Sequence, residues 1–226
     1  MSLKHDNVVN FIEASSDSRY LYIVMERCTG GELFDRILSE KMLRESDAAV
    51  IFSQVLRSIQ YIHDLNIVHR DIKPENFLLT GDGTRVKLID FGLSVRLRSE
   101  DERLSALVGS AHYLAPEMLR QNYSKHVDMW SAGIMLYLML FGRYPYDGSE
   151  DQIMNGIKRK PPNYQNEWLS PRAIGFLQLL LEKDYRKRLT AKEALQHPFV
   201  TCIEDSTINP DDEDFCEYQE AILLND

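Results

Sequence analysis

Apolar residues along the chain first alternate with polar ones and then, beyond a pair of glycines, recur every third or fourth position. VVNFI (8–12) and YLYIVM (20–25) have the strand pattern, and the polar SSDS (15–18) between them predicts a hairpin turn. After Thr29-Gly30-Gly31 the period becomes helical: Leu33, Phe34, Ile37 and Leu38 share one face. A longer helix is expected from about Ser46, with Phe52, Val55, Leu56, Ile59 and Ile62 inward. FLL (77–79) and RVKLID (85–90), joined by Gly81-Asp82-Gly83, predict a second hairpin. Residues 93–114 show no clear period, and everything after Ala115 reads as helix. Ser170-Pro171 supplies an N-cap and a first-turn proline for a helix with Ile174, Leu177, Leu180 and Leu181 inward. Thr190 and Glu193 make a capping box for a last helix ending near His197-Pro198. The tail beyond Val200 is expected to be poorly ordered apart from a short helix near its end. Strands confined to the first 90 residues, with helices after them, predict an α+β fold that is mainly α.

Composition narrows the function. At 226 residues and 44% hydrophobic, the chain can bury a sizeable core. Its net charge of −9 is a property of the tail: nine acids and no Lys or Arg follow Thr201, and the first 200 residues balance. That distribution gives no basic footprint for nucleic acid. The longest apolar run, MWSAGIMLYLMLFG (129–142), is below spanning length and reads as a buried helix, so no membrane segment is expected. The N-terminus is too polar for a signal peptide. Cys28, Cys202 and Cys216 lack metal spacing and fit reduced thiols in the cytoplasm or nucleus.

The candidate chemistry lies in HRDIKPENFLL (69–79), where charged residues, an Asn and a Pro run directly into an apolar strand. With DFG (90–92), APE (115–117) and DMWSAG (128–133), in that order and spacing, it resembles the eukaryotic protein-kinase family over residues 3–200. Each tripeptide alone is weak; the four together are specific. The resemblance implies a kinase large lobe (29–200) after a remnant hairpin and hinge of the small lobe (1–28), with an acidic tail (201–226). Phosphoryl transfer from ATP with Mg²⁺ needs a carboxylate at the hydroxyl, cations on the phosphates and fixed geometry. By resemblance Asp71 is that base, near its ordinary pKa, so that orientation matters more than proton affinity. Lys73 would meet the γ-phosphate, while Asn76 and Asp90 would give Mg²⁺ its oxygen ligands. His69, Phe91, Glu117, Asp128 and Arg188 would be structural. His69 would pack near Phe91, Asp128 would hold the 69–71 turn, and Glu117 would pair with Arg188.

Lys73 and Ser110, in GSAHYLAPE, resemble the serine/threonine branch. YLYIVMERCTGGELFDRI (20–37) resembles the calcium- and calcium/calmodulin-dependent group. In that group the backbone from Glu26 to Cys28 bonds adenine, Met25 is the gatekeeper and Leu78 the pocket floor. Glu32 would meet the ribose or an arginine upstream of the target serine, with Glu75 nearby, so protein substrates with basic residues there are expected. A capping-box role for Glu32 after Thr29 is the plain alternative. Arg70 implies a negative partner on the loop 93–114, where the family's usual position is here Ala106, and Ser105 is the nearest phosphorylation candidate. A calcium-binding EF-hand loop does not fit the tail, where Cys216 and Ile222 stand at positions needing Gly and Glu.

The family pattern also includes a glycine-rich loop, a strand lysine and a helix glutamate pairing it, none of which occurs in these residues. The expectation is an N-terminally truncated kinase, starting at an internal methionine and inactive alone. Its hairpin 8–25 is expected to expose Val9, Phe11, Leu21 and Ile23 and to self-associate or exchange strands. The alternative is a non-catalytic, kinase-like module that binds partners.

Overall fold

The computed structural model describes residues 3–202; the tail helix expected above lies outside them. Its first hairpin is β1 (Phe11–Ser16) with β2 (Leu21–Met25), antiparallel, with Ala14 opposite Ile23 and Ser16 opposite Leu21. β1 therefore starts three residues later than the apolar pattern indicates. Val8 and Val9 are not exposed hairpin residues; both are buried against the helical body. There Val9 N–H donates to the Leu88 carbonyl (3.0 Å) and Leu88 N–H to the Asn7 carbonyl (2.9 Å). Burying two β-branched side chains while pairing their backbone outweighs extending an exposed hairpin.

Helix α1 (Leu33–Glu40) buries Leu33 and Ile37, but Leu38, placed inward by spacing, is 58% exposed. The helix is only two turns long, and its inward stripe is narrower than the apolar pattern. Helix α2 (Glu45–Asp64) buries Phe52, Val55, Leu56, Ile59 and Ile62 at the expected spacing. A short strand β3 (Ile67–Val68) leads into the charged cluster and pairs with β6 (Val95–Arg96). The sequence pattern missed that ladder because two residues carry no period. β4 (Phe77–Leu79) and β5 (Val86–Leu88) form the second hairpin, with Phe77 opposite Leu88.

Helix does not resume at Ala115. Residues 115–122 form turns, and α3 begins at His126 and runs to Phe141. Every α3 residue from Val127 to Phe141 is buried, as expected for a helix apolar on all sides. Gly133 lets α3 approach Leu180 and Leu181 closely, since a Cβ there would meet Leu181 Cδ2 at 2.9 Å and Leu180 Cβ at 3.0 Å. α4 (Glu150–Arg159) starts with a capping box from Ser149 and Gln152. α5 (Pro171–Leu180) is capped by Ser170, whose Oγ also donates to Glu45 Oε2 (2.7 Å). Phe176 of α5 meets Phe52 of α2 edge-on, with ring centroids 5.8 Å apart. α6 (Ala191–Ala194) has the Thr190–Glu193 capping box. The chain does not stop there, because His197 caps one more turn, α7 (Pro198–Thr201). Helices α2, α3 and α5 thus enclose one core, and the charged cluster lies where β3, β4 and β5 emerge from it. Among the described residues no helix is long and apolar enough to cross a membrane.

Candidate active site

The chain turns sharply between β3 and β4, and buried Asp128 of α3 holds that turn. Asp128 Oδ2 accepts from His69 N–H (2.9 Å) and Oδ1 from Arg70 N–H (2.9 Å), while His63 Nε2 lies 2.8 Å from Oδ2. Burial pushes the Asp128 carboxyl up, but His63 and the His69 contacts outweigh it and hold it below the usual range. Arg70 sits at φ 69° and Asp90 at φ 55°. Two non-glycine residues in the left-handed region flank one site, a conformation that persists only where surroundings enforce it. His69 is fully buried. Its Nδ1 accepts from Asp71 N–H (3.3 Å) and its Nε2 faces the Ile89 carbonyl (3.2 Å), which fixes the Nε2–H tautomer. Phe91 packs edge-on against its ring, centroids 5.1 Å apart.

Beyond that turn, three side chains converge on Asp71. Lys73 Nζ lies 3.0 Å from Asp71 Oδ2 and donates to Ser110 Oγ (2.9 Å). Ser110 Oγ donates to Asp71 Oδ1 (3.1 Å). Asn76 Nδ2 donates to the Asp71 carbonyl (2.7 Å) and to Oδ2 (3.1 Å). Burial raises the Asp71 pKa, and Lys73, Asn76 and Ser110 more than reverse it. The carboxyl therefore sits below its ordinary value, not near it, because three donors favour the charged form. Gly109, at φ 101°, brings the Ser110 loop against this turn; a Cβ there would meet the Arg70 carbonyl at 2.6 Å.

The amide nitrogen of Asn76 faces Asp71, which turns its oxygen the other way. Asp90 is adjacent, since Ile89 N–H donates to the Asn76 carbonyl (2.9 Å). Asp90 Oδ1 accepts from Gly92 N–H (3.0 Å) and the residue is exposed. Two neighbouring oxygen donors of this type fit Mg²⁺, which takes few protein ligands and keeps its waters.

Glu32 and Leu78 come together through an antiparallel bridge, where the hinge segment adds to β4. Glu32 is the N-cap residue of α1 and makes no side-chain cap, so the capping box with Thr29 does not form. Met25 ends β2 and is 45% exposed. Glu26 pairs with Lys87 Nζ (2.7 Å), and its N–H donates to the Asn10 carbonyl (3.0 Å). Cys28 is half-buried, and burial raises its thiol pKa. Glu75 has a buried Oε2 with no hydrogen-bond partner. Far from these, Glu117 and Arg188 form a buried two-point pair (Nη1–Oε1 2.5 Å, Nη2–Oε2 3.0 Å) under the 115–122 turns. Ser105 is exposed, and the Arg70 guanidinium meets the Leu93 carbonyl (2.6 Å) and the Tyr123 hydroxyl (3.3 Å) instead. Sequence reasoning missed His63 and Tyr123. His63 lies six residues before His69 with nothing local to flag it, and Tyr123 reads as an ordinary aromatic among polar neighbours.

Residues 1–200 match the protein kinase domain. This chain belongs to the protein kinase family. It is 46% identical to CDPK-related kinase 7 of Arabidopsis thaliana over 203 residues, 87% of this chain and 35% of that protein. Calcium/calmodulin-dependent serine/threonine-protein kinase 1 of Oryza sativa subsp. japonica is 43% identical over 208 residues, 89% of this chain and 34% of that protein. Calcium-dependent protein kinase 29 of Arabidopsis thaliana is 43% identical over 211 residues, 90% of this chain and 39% of that protein. The chain thus spans little more than a third of the length of the curated relatives it matches. For a kinase-family chain the fold is as expected: a helical large lobe with one small-lobe hairpin in front of it.

Proposed function

We propose that this chain carries the substrate-side half of a serine/threonine protein kinase, which moves the γ-phosphoryl group of ATP to a protein hydroxyl. The observation behind this reading is the Asp71 carboxylate held between Lys73, Ser110 and Asn76. A substrate hydroxyl at Asp71 would be oriented for attack and pass its proton to the carboxylate. The depressed pKa makes Asp71 a weak base, so positioning is its main contribution. Lys73 would stabilise charge on the transferring group. Asn76 and Asp90 would hold Mg²⁺, which neutralises phosphate charge when bound. Ser110 ties the substrate loop to both catalytic side chains and supports the serine/threonine branch. Glu32 and the unpartnered Glu75 support a preference for substrates with basic residues upstream.

The 226 residues contain no glycine-rich loop or lysine-bearing strand of the family pattern. On their own they bind ATP weakly and transfer phosphate negligibly. The test joins the small lobe of a related kinase ahead of Met1 and measures Mg²⁺-dependent phosphorylation of serine peptides, with and without upstream arginine. Transfer is expected, and Asp71→Asn should lower it by roughly 10²–10⁴-fold. A chimera that binds Mg-ATP without transferring would support the partner-binding module instead.

A further inference from the structure

The loop from Leu93 to Ser110 must deliver Ser110 to Asp71, and both of its ends are fastened to Arg70. At the first end, Arg70 Nε donates to the Leu93 carbonyl (2.6 Å). At the second, Leu104 and Tyr123 exchange two main-chain hydrogen bonds (2.8 and 3.1 Å). The Tyr123 hydroxyl then donates to the Ala106 carbonyl (2.6 Å) and accepts from Arg70 Nη1 (3.3 Å). Four residues further on, Ser110 N–H and Oγ reach Asp71 Oδ1 (3.3 and 3.1 Å). None of these loop fastenings is charged on the loop side. Among the described residues Arg70 makes no ion pair. The loop acid Glu102 spends its carboxylate on Arg98 N–H.

We propose that Tyr123 is a positioning residue: its hydroxyl joins Arg70 to Ala106 and seats the Ser110 loop on Asp71 without a phosphate or acid on that loop. The ring itself is fully buried, so removing the oxygen alone separates this role from packing. The inference deepens the kinase reading by assigning how its substrate loop is held. It also makes phosphorylation of Ser105 dispensable for loop order.

The test is amide hydrogen exchange on the whole 226-residue chain, which reads loop order whether or not the chain transfers phosphate. Tyr123→Phe is expected to speed exchange at Leu104 and Ser110 about tenfold, with α3 amides unchanged. Adding Ala106→Glu to that variant places a carboxylate at the freed guanidinium. It should bring both amides back to within about threefold of the unsubstituted chain. Unchanged exchange in Tyr123→Phe overturns the proposal. So does faster exchange throughout α3, which would make the hydroxyl a core group. Failure of Ala106→Glu to restore protection would show that the hydroxyl does not act through Arg70, and also overturns it.

Discussion

The Lys73 ammonium stands 3.0 Å from Asp71 Oδ2 and shares Ser110 with the opposite carboxylate oxygen. Both side chains are largely shielded from water, so the contact is weakly screened. Removing the ammonium leaves burial, which raises the Asp71 pKa, opposed only by Asn76 and Ser110. Lys73→Met is therefore expected to raise the Asp71 pKa. A carbon-13 carboxyl titration of both proteins checks the direction; an unmoved or lower value would mean the pair does not set the carboxylate.

Asp128 is a stability determinant because, fully buried, it satisfies three donors at once. Asp128→Ala strands the His69 and Arg70 amides and leaves His63 without its partner. Losing a buried charged acceptor of this kind costs about 3–5 kcal/mol. Urea unfolding at pH 7 should show that loss, with Asp128→Asn less harmed because it keeps one acceptor oxygen. A cost of under about 1 kcal/mol for Asp128→Ala would mean the turn at 69–71 holds itself.

Burial lowers the pKa of His5, His69, His126 and His197 alike. A histidine whose folded pKa lies below its unfolded value of about 6.5 favours the fold above that pH. Its contribution is lost as pH falls, because the unfolded chain takes up the proton first. Asp71 and Asp128, with depressed carboxyls, add a second loss below about pH 4. Unfolding free energy should therefore decline from pH 7 to pH 5 and again below pH 4. A flat profile between pH 7 and 5 would contradict the histidine contribution.

Local signals made the helices and the second hairpin legible. Long apolar periods marked α2, Ser170-Pro171 and Thr190–Glu193 marked helix starts, and Gly81-Asp82-Gly83 marked the turn. The Asp71, Lys73, Asn76 and Asp90 cluster was expected through the family resemblance of HRDIKPEN and DFG, and one loop with one hairpin brings these residues together. Contacts between distant segments were not. Val8 and Val9 look like strand residues in either place, and only their fit against Leu88 decides that they join the helical body. The Tyr123–Arg70 contact joins residues far apart in sequence, and no local pattern encodes it. The depressed Asp71 carboxyl was missed because spacing alone does not show that Lys73 and Asn76 fold back onto it, with Ser110 joining them from another loop.

Both faces of the β1–β2 hairpin are exposed, and this leads to a prediction about association. Leu21 is 69% and Ile23 54% exposed, opposite Ser16 and Ala14, which cover little of them. Two strands alone are marginal in water, and their unpaired edges invite further strands. Burying each Leu or Ile contributes about 1.5–3 kcal/mol. Four such side chains across a symmetric contact give roughly 6–12 kcal/mol, against an association cost of about 4–15 kcal/mol. The balance predicts weak self-association through this hairpin, not an obligate dimer. In sedimentation velocity the average mass should rise as the chain is concentrated from about 1 to 100 µM. Replacing Leu21→Lys and Ile23→Lys together should hold it at the monomer mass across that range. A doubly substituted chain that associates as strongly as the original would place the contact elsewhere.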